Sequence, residues 1–139
     1  MREGFPMEID LGGNLKIMAL RRRHKRLKKD VWPGRGHCLV SMRKNGEIAA
    51  FAFVRRRKDK ETGAREDFIH VIEVLDPAER RRGIGTALVA AVIESARHRR
   101  SCQVRAYFDG ENIASRQLWL KCGFELSAEG PGFFATYKL

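Results

Sequence analysis

At 139 residues the chain is long enough for one domain with a core of its own, without disulfide or metal staples. Its composition, 43% apolar and 32% charged, excludes a disordered chain, and no apolar run approaches the length of a membrane span. Lys and Arg number 28 against 17 Asp and Glu, and this net charge of +11, clustered at 21–29, 55–60, 80–82 and 97–100, points to an anionic partner such as the phosphates of a cofactor or of nucleic acid. The first ten residues lack the basic start, apolar centre and small-residue cleavage site of a secretory signal, so a cytoplasmic location is expected. Residues 7–11 alternate apolar and acidic side chains up to Gly12-Gly13 and read as a short first strand. Over 14–31, Ile17, Leu20, His24, Leu27 and Val31 recur at steps of three and four among basic residues, which predicts a basic amphipathic helix ended by Pro33-Gly34.

Two strand-like runs, 37–43 and 47–56, flank Lys44-Asn45-Gly46, where Asn-Gly supplies the positive φ angles of a tight hairpin. A charged connection at 58–65 leads to a strand at 67–75, stopped by Asp76-Pro77. Residues 83–100 place Ile84, Leu88, Val89, Val92, Ile93 and Ala96 on one helical face, and His98-Arg99-Arg100 complement the negative end of that helix. A strand at 102–108, a helix at 113–122 stopped by Gly123, and strands at 124–127 and 133–139 complete the chain. The order β, α, β, β, β, α, β, α, β, β describes a single α/β domain, residues 1–139, with a mixed sheet and helices against it. Cys38, Cys102 and Cys122 are odd in number and far apart, with no Cys/His cluster beside them, so they are expected to be reduced, mostly buried thiols, and no metal site is expected.

The segment most suggestive of function is Arg80-Arg81-Arg82-Gly83-Ile84-Gly85-Thr86, lying between a strand and a helix. Glycines let phosphate oxygens approach the backbone, and the first helical turn offers unpaired amides at Gly83, Ile84, Gly85 and Thr86. Two better-known phosphate motifs fail on residues. A P-loop needs Gly-Lys-Ser/Thr, and Gly85 is followed by Thr86-Ala87. A dinucleotide fingerprint needs a third glycine where Leu88 stands, and it should follow its strand directly.

The run from Val74 to Leu88, Val74-Leu75-Asp76-Pro77-Ala78-Glu79 and then the Arg-Gly turn, resembles the acetyl-CoA motif of the GNAT N-acetyltransferases. A second segment, with Asn112, Ala114-Ser115, Leu118 and Gly123-Phe124, is similar to that family's later pattern of Asn, Ala, Leu-Tyr and Gly-Phe at its usual spacing. The resemblance spans roughly 37–139, including strand order, and two motifs at the right separation support each other. It implies the GNAT acyl-CoA N-acyltransferase fold, in which the strand ending at Leu75 and the strand at 102–108 splay apart around the pantetheine arm. It further implies that backbone near Val74 and Leu75 holds the pantetheine and thioester, that Arg80, Arg81, Arg82, Gly83, Ile84, Gly85 and Thr86 hold the pyrophosphate, and that Asn112 orders the cosubstrate, acetyl-CoA. Asn112 is equally suited to cap the helix that starts at Ile113.

Direct acetyl transfer needs a neutral amine, a stabilised oxyanion and a leaving thiol. Strict alternation puts Asp67, Ile69, Val71, Glu73 and Leu75 on one face of their strand, the face on which the resembled family carries a catalytic carboxylate. Glu73, nearest the expected thioester, is the first candidate base; its other reading is an ion pair with a neighbouring arginine. His70 and His37 are secondary. The sequence departs from the family pattern at Trp119, where a tyrosine usually protonates the departing thiolate. Indole offers an N–H donor without titrating, so Trp119 suits hydrogen bonding to the sulfur, with Tyr107, Tyr137 or water as the proton donor. A non-catalytic member is the other reading of that loss. Cys122 lies on an apolar helix without an adjacent His, which favours a packed thiol over an acetylated nucleophile.

The resembled family usually builds one wall of its acceptor site from two helices after the first strand, and only 14–31 reads as helical there. The acceptor side is then expected to be open and basic, suiting a protein amine or a nucleic-acid-linked amine, for a monomer or homodimer. The alternative is a noncatalytic or weakly catalytic nucleic-acid-binding module on the same fold.

Overall fold

The computed structural model describes residues 8–12, 37–44, 47–75 and 83–139. Seven strands form one sheet: β1 (Glu8–Gly12), β2 (His37–Lys44), β3 (Glu47–Lys58), β4 (Arg65–Val74), β5 (Gln103–Asp109), β6 (Glu125–Glu129) and β7 (Gly132–Lys138). Their spatial order is β1-β2-β3-β4-β5-β7-β6. Two helices, α1 (Ile84–His98) and α2 (Ile113–Lys121), follow β4 and β5. Every expected element among the described residues is present, with ends shifted by at most two residues. The expected helix at 14–31, the tight turn at Asn45-Gly46 and the arginines Arg80, Arg81 and Arg82 lie outside the described residues, although Lys44 and Glu47 pair across that turn.

All neighbours are antiparallel except β4 and β5, whose crossover through α1 makes them parallel. Their pairing covers only four residues of each strand, from Glu66↔Gln103 to Ile69↔Ala106. Beyond that point β4 stays with β3 as far as Ala50↔Val74, and β5 stays with β7 as far as Asp109↔Gly132. The two strands therefore part, opening a wedge in the middle of the sheet. The cause is local: Val54 pairs with Ile69 and Phe53 with Val71, which leaves His70 as an extra residue. Such a bulge bends its strand and increases its twist.

The bulge also corrects the expected face of β4. Ile69 packs with Val54 and α1, and Ile72 and Val74 continue on that side, whereas Val71 and Leu75 pack with Leu39, Phe51 and Phe53 on the other. Asp67 and Ile69 therefore do not share a face with Val71, Glu73 and Leu75, because one inserted residue inverts the alternation.

The larger core lies between α1 and the sheet, where all six predicted apolar residues of α1 are buried against Val40, Met42, Ala50, Ala52, Val104 and Ala106. At roughly 1.5–3 kcal/mol per buried aliphatic side chain, this packing far outweighs the ~1 kcal/mol of an N-terminal cap. The helix consequently tolerates an N-terminus with no side-chain cap and no acid in its first turn.

Candidate functional site

Gly83, at the N-cap of α1, has φ 77, a left-handed conformation that glycine adopts without strain. It turns the chain so that the uncapped amides of α1 face outward, toward an anion carried at that end. These residues line a cavity of about 400 Å³ with Val74 and with Ala114, Gln117, Leu118 and Lys121 of α2. A β-carbon on Gly85 would stand 3.5 Å from Leu118 Cδ1, an ordinary contact. Glycine at this position keeps the floor of the cavity open; packing alone does not demand it.

A second cavity, of about 310 Å³, occupies the wedge between the parted strands. Its walls are residues 69–72 of β4, residues 106–109 of β5, and Asn112, Ser115 and Trp119 of α2. One short helix thus serves both cavities. Residues 112, 115 and 119 face the wedge, and 114, 117, 118 and 121 face the start of α1, each set following the helical period. On the β4 side, Leu75 N–H donates to Ala49 O at 2.7 Å, so strand alternation turns the backbone groups of Val74 and Ile72 the opposite way, into the wedge. Leu75 itself lines neither cavity: its amide is bonded to β3 and its side chain packs with Phe51 and Phe53.

Trp119 is held at both ends of its geometry. Phe124 N–H donates to Trp119 O and Gly123 N–H to Leu120 O, the reciprocal bonds that close a helix on a left-handed residue, here Gly123 at φ 87. The Phe124 ring lies 5.0 Å from the Trp119 ring. Trp119 is 3% exposed, and its Nε1 has no hydrogen-bond partner. A buried N–H without an acceptor costs about 1–3 kcal/mol, so a ligand acceptor in the wedge would restore what folding leaves unmet. This orphan donor, together with the uncapped start of α1, fits a long thioester ligand with a phosphate group at one end.

The other candidates divide clearly. Asn112 Oδ1 accepts from Ser115 N–H at 3.0 Å, so its capping role is realised while its side chain also borders the wedge. The Tyr107 ring lines the wedge edge-to-face on Phe134, but its hydroxyl donates to Glu129 O at 2.9 Å. That proton reaches the wedge only if this bond opens. Tyr137 packs on Phe124 and over Gly123, outside both cavities. Glu73 is half-buried on the sheet face away from α1, opposite Phe51, and lines neither cavity. His70, carried outward by its own bulge, is exposed, borders the wedge and stacks edge-on against Phe68 at 4.9 Å. That His70 borders the wedge was not legible in the sequence, because a bulge has no composition signature here. Sequence reasoning also missed Gln117 and Lys121, although their spacing from Ala114 marks the face of α2 turned toward α1.

Cys122 meets its expectation, since burial pushes its thiol up from its ordinary value and only partly yields to a hydrogen bond with Thr86. Cys102 does not: it is exposed. Because a raised value reduces the thiolate fraction at any pH below it, Cys122 should be alkylated by iodoacetamide more slowly than Cys102 near neutral pH. Its rate should climb only at alkaline pH. Peptide mapping over a pH series checks this, and a Cys122 that reacts first would reveal an activating group.

The sequence profile of the Acetyltransferase (GNAT) family matches residues 16–124. No curated protein matches this chain by sequence. Among solved structures, Arabidopsis thaliana NAA60 in complex with a bisubstrate analogue superimposes with a TM-score of 0.75 at 15% identity, covering 96% of this chain and 99% of that one. The ribosomal-protein-S18-alanine N-acetyltransferase from Escherichia coli gives 0.70 at 20% identity, covering 94% and 90%. The GNAT domain of S. lividans PAT gives 0.75 at 14%, covering 96% and 90%. At these identities the likeness establishes a shared fold.

Proposed function

The chain belongs to the GNAT family of acetyltransferases, and on that premise we propose that it transfers the acetyl group of acetyl-CoA directly to an amine, most naturally an amine of a protein. The observation that carries this reading is the joint geometry of α2, which lines the wedge with Trp119, whose buried Nε1 has no partner among the described residues, and sets Gln117 and Lys121 beside the uncapped start of α1. A cosubstrate with a thioester at one end and a pyrophosphate at the other spans those two features. The complex of NAA60 with acetyl-CoA supports that cosubstrate, and the S18-alanine enzyme, by its name, supports a protein amine as acceptor.

In this reading the amides of Gly83, Ile84, Gly85 and Thr86 bind the pyrophosphate, with Lys121 adding a cation at the rim. Backbone groups of Ile72 and Val74 align the pantetheine arm as a neighbouring strand would be aligned. Trp119 Nε1 donates to the sulfur or the carbonyl oxygen and holds the reacting carbon in the wedge. The amine approaches from the sheet face away from α1, the face that carries Glu73. Glu73 takes the amine proton, directly or through a water, and His70 at the mouth of the wedge is the competing base. Thiol release from acetyl-CoA that depends on an added peptide amine, with the acetylated product seen by mass spectrometry, tests the function. Tight binding of acetyl-CoA with no amine-dependent release across a peptide and polyamine screen would refute it.

Trp119 offers a separate test. Trp119→Phe removes the orphan N–H, so thermal stability should hold or rise while acetyl-CoA affinity falls by about two- to tenfold, the net worth of one hydrogen bond. Trp119→Tyr keeps a donor, and should keep or increase activity by supplying a group that can also protonate the thiolate. Unaltered affinity in a folded Trp119→Phe protein would show that the indole N–H touches no ligand.

A further inference from the structure

At the end of the sheet farthest from the start of α1, cations outnumber the acids Asp59, Glu61, Glu66 and Asp67. β3 runs out through Arg55-Arg56-Arg57-Lys58, β4 begins at Arg65, and α1 ends near Arg99 and Arg100. Two buried carboxylates lie beneath them, and both are fully engaged. Glu66 accepts from Arg57 Nε at 2.6 Å and Gln103 Nε2 at 2.7 Å, with Arg105 3.6 Å away. Asp67 accepts from Arg99 and from Ser101 Oγ at 2.7 Å. Arg56, Lys58 and Arg65 are exposed, and among the described residues none has a carboxylate partner. With Arg99 and Ser101 they border an open cavity of about 460 Å³.

The register makes this arrangement unfavourable in the isolated protein. Lys58 stands directly opposite Arg65 across the antiparallel ladder, and like charges so placed repel. Arg56 and Lys58, two residues apart on one strand face, are separated by about 6.7 Å. An anion with a single charge satisfies one member of such a row; a ligand with phosphates repeated at a similar interval satisfies all of them. Arginine adds a planar fork that grips phosphate oxygens in pairs. Arg55, Lys60 and Arg100, also exposed, extend the row around the same end. We infer that this basic end is a docking surface for the phosphodiester backbone of a nucleic acid, at the opposite end of α1 from the acetyl-CoA cavity.

The surface reads charge and spacing, not bases. Among the described residues, no aromatic ring lines the cavity that Arg56, Lys58 and Arg65 border, so no stacking platform accompanies these cations. Binding should therefore be indifferent to sequence and steeply dependent on salt.

The test is fluorescence anisotropy of the whole protein with a labelled single-stranded RNA of roughly 30 nucleotides, a duplex DNA of equal length and poly-glutamate of similar charge, each across a salt series. Binding to both nucleic acids is expected, with log K falling linearly against log salt. Each of Arg56→Gln, Lys58→Gln and Arg65→Gln should reduce the steepness on single strands by about 0.7, and the triple variant by about 2, with at least tenfold weaker binding near 100 mM salt. Melting temperatures should hold or rise, since relieving the Lys58–Arg65 repulsion cannot harm the fold. Arg116→Gln, which removes the same charge from α2, should leave the slope unchanged and so separates a local surface from net charge. Absence of nucleic-acid binding, slopes unaffected by the three substitutions, an Arg116→Gln effect of equal size, or equal affinity for poly-glutamate would each overturn the assignment.

Discussion

Glu73→Gln should lower turnover by about a hundredfold or more, the usual contribution of a positioned base, while acetyl-CoA affinity stays within twofold. The substitution keeps size, but it removes the negative charge and the ability to accept a proton and turns one acceptor oxygen into an NH2 donor. Because Glu73 lies on the sheet face away from α1 and lines neither cavity, its substitution leaves the lining of both cavities unchanged. His70→Gln is the necessary companion, since His70 borders the wedge and Glu73 does not. If Glu73 is the base, the rise of the rate with pH should be reshaped in Glu73→Gln and preserved in His70→Gln. The reverse pattern, read from kcat and kcat/KM against pH with a working acceptor, would transfer the role to His70.

Gly85→Asp should drive stability and binding in opposite directions. In the free protein the new β-carbon meets only Leu118, at an ordinary 3.5 Å, and a carboxylate in the first turn of α1 is favoured by the helix dipole by about 0.3–1 kcal/mol. No acid stands in that turn now, so the melting temperature should rise or hold. The same carboxylate would sit where the pyrophosphate binds and compete for its amides. Repulsion and lost hydrogen bonds of about 2 kcal/mol correspond to roughly a thirtyfold loss of acetyl-CoA affinity. Calorimetry with acetyl-CoA and with a coenzyme lacking the pyrophosphate distinguishes the causes: the truncated ligand should bind both proteins alike. A folded Gly85→Asp protein with full affinity for acetyl-CoA would remove the pyrophosphate from this turn.

Local chemistry made much of this molecule legible from residues alone. The apolar face of α1, its start after Gly83, the stop at Gly123 and the capping capacity of Asn112 depend on periodicity and backbone preference within a few positions, and the structure shows each of them. The spacing of Asn112, Ser115 and Trp119 likewise implies a shared helical face, because a helix repeats every 3.6 residues wherever it packs.

What the sequence left undecided depends on which strand lies beside which. The wedge exists because β4 and β5 pair for four residues and then follow different neighbours, and neither strand alone encodes that parting. The bulge at His70 arises from matching β4 to β3, and it reversed the expected face of Ile69 relative to Glu73 while carrying a histidine of unremarkable sequence context to the mouth of the wedge. Tyr107 looked available as a proton donor until the β6–β7 hairpin supplied Glu129 O as its acceptor. The basic runs around 55–60 and 97–100 were visible as charge, but only the fold joined them at one end of the sheet and showed which cations Glu66 and Asp67 neutralise and which remain exposed. Periodicity and capping are interactions between residues close in the chain; pairing, parting and charge balance are interactions between residues far apart in it, and only the folded chain brings those together.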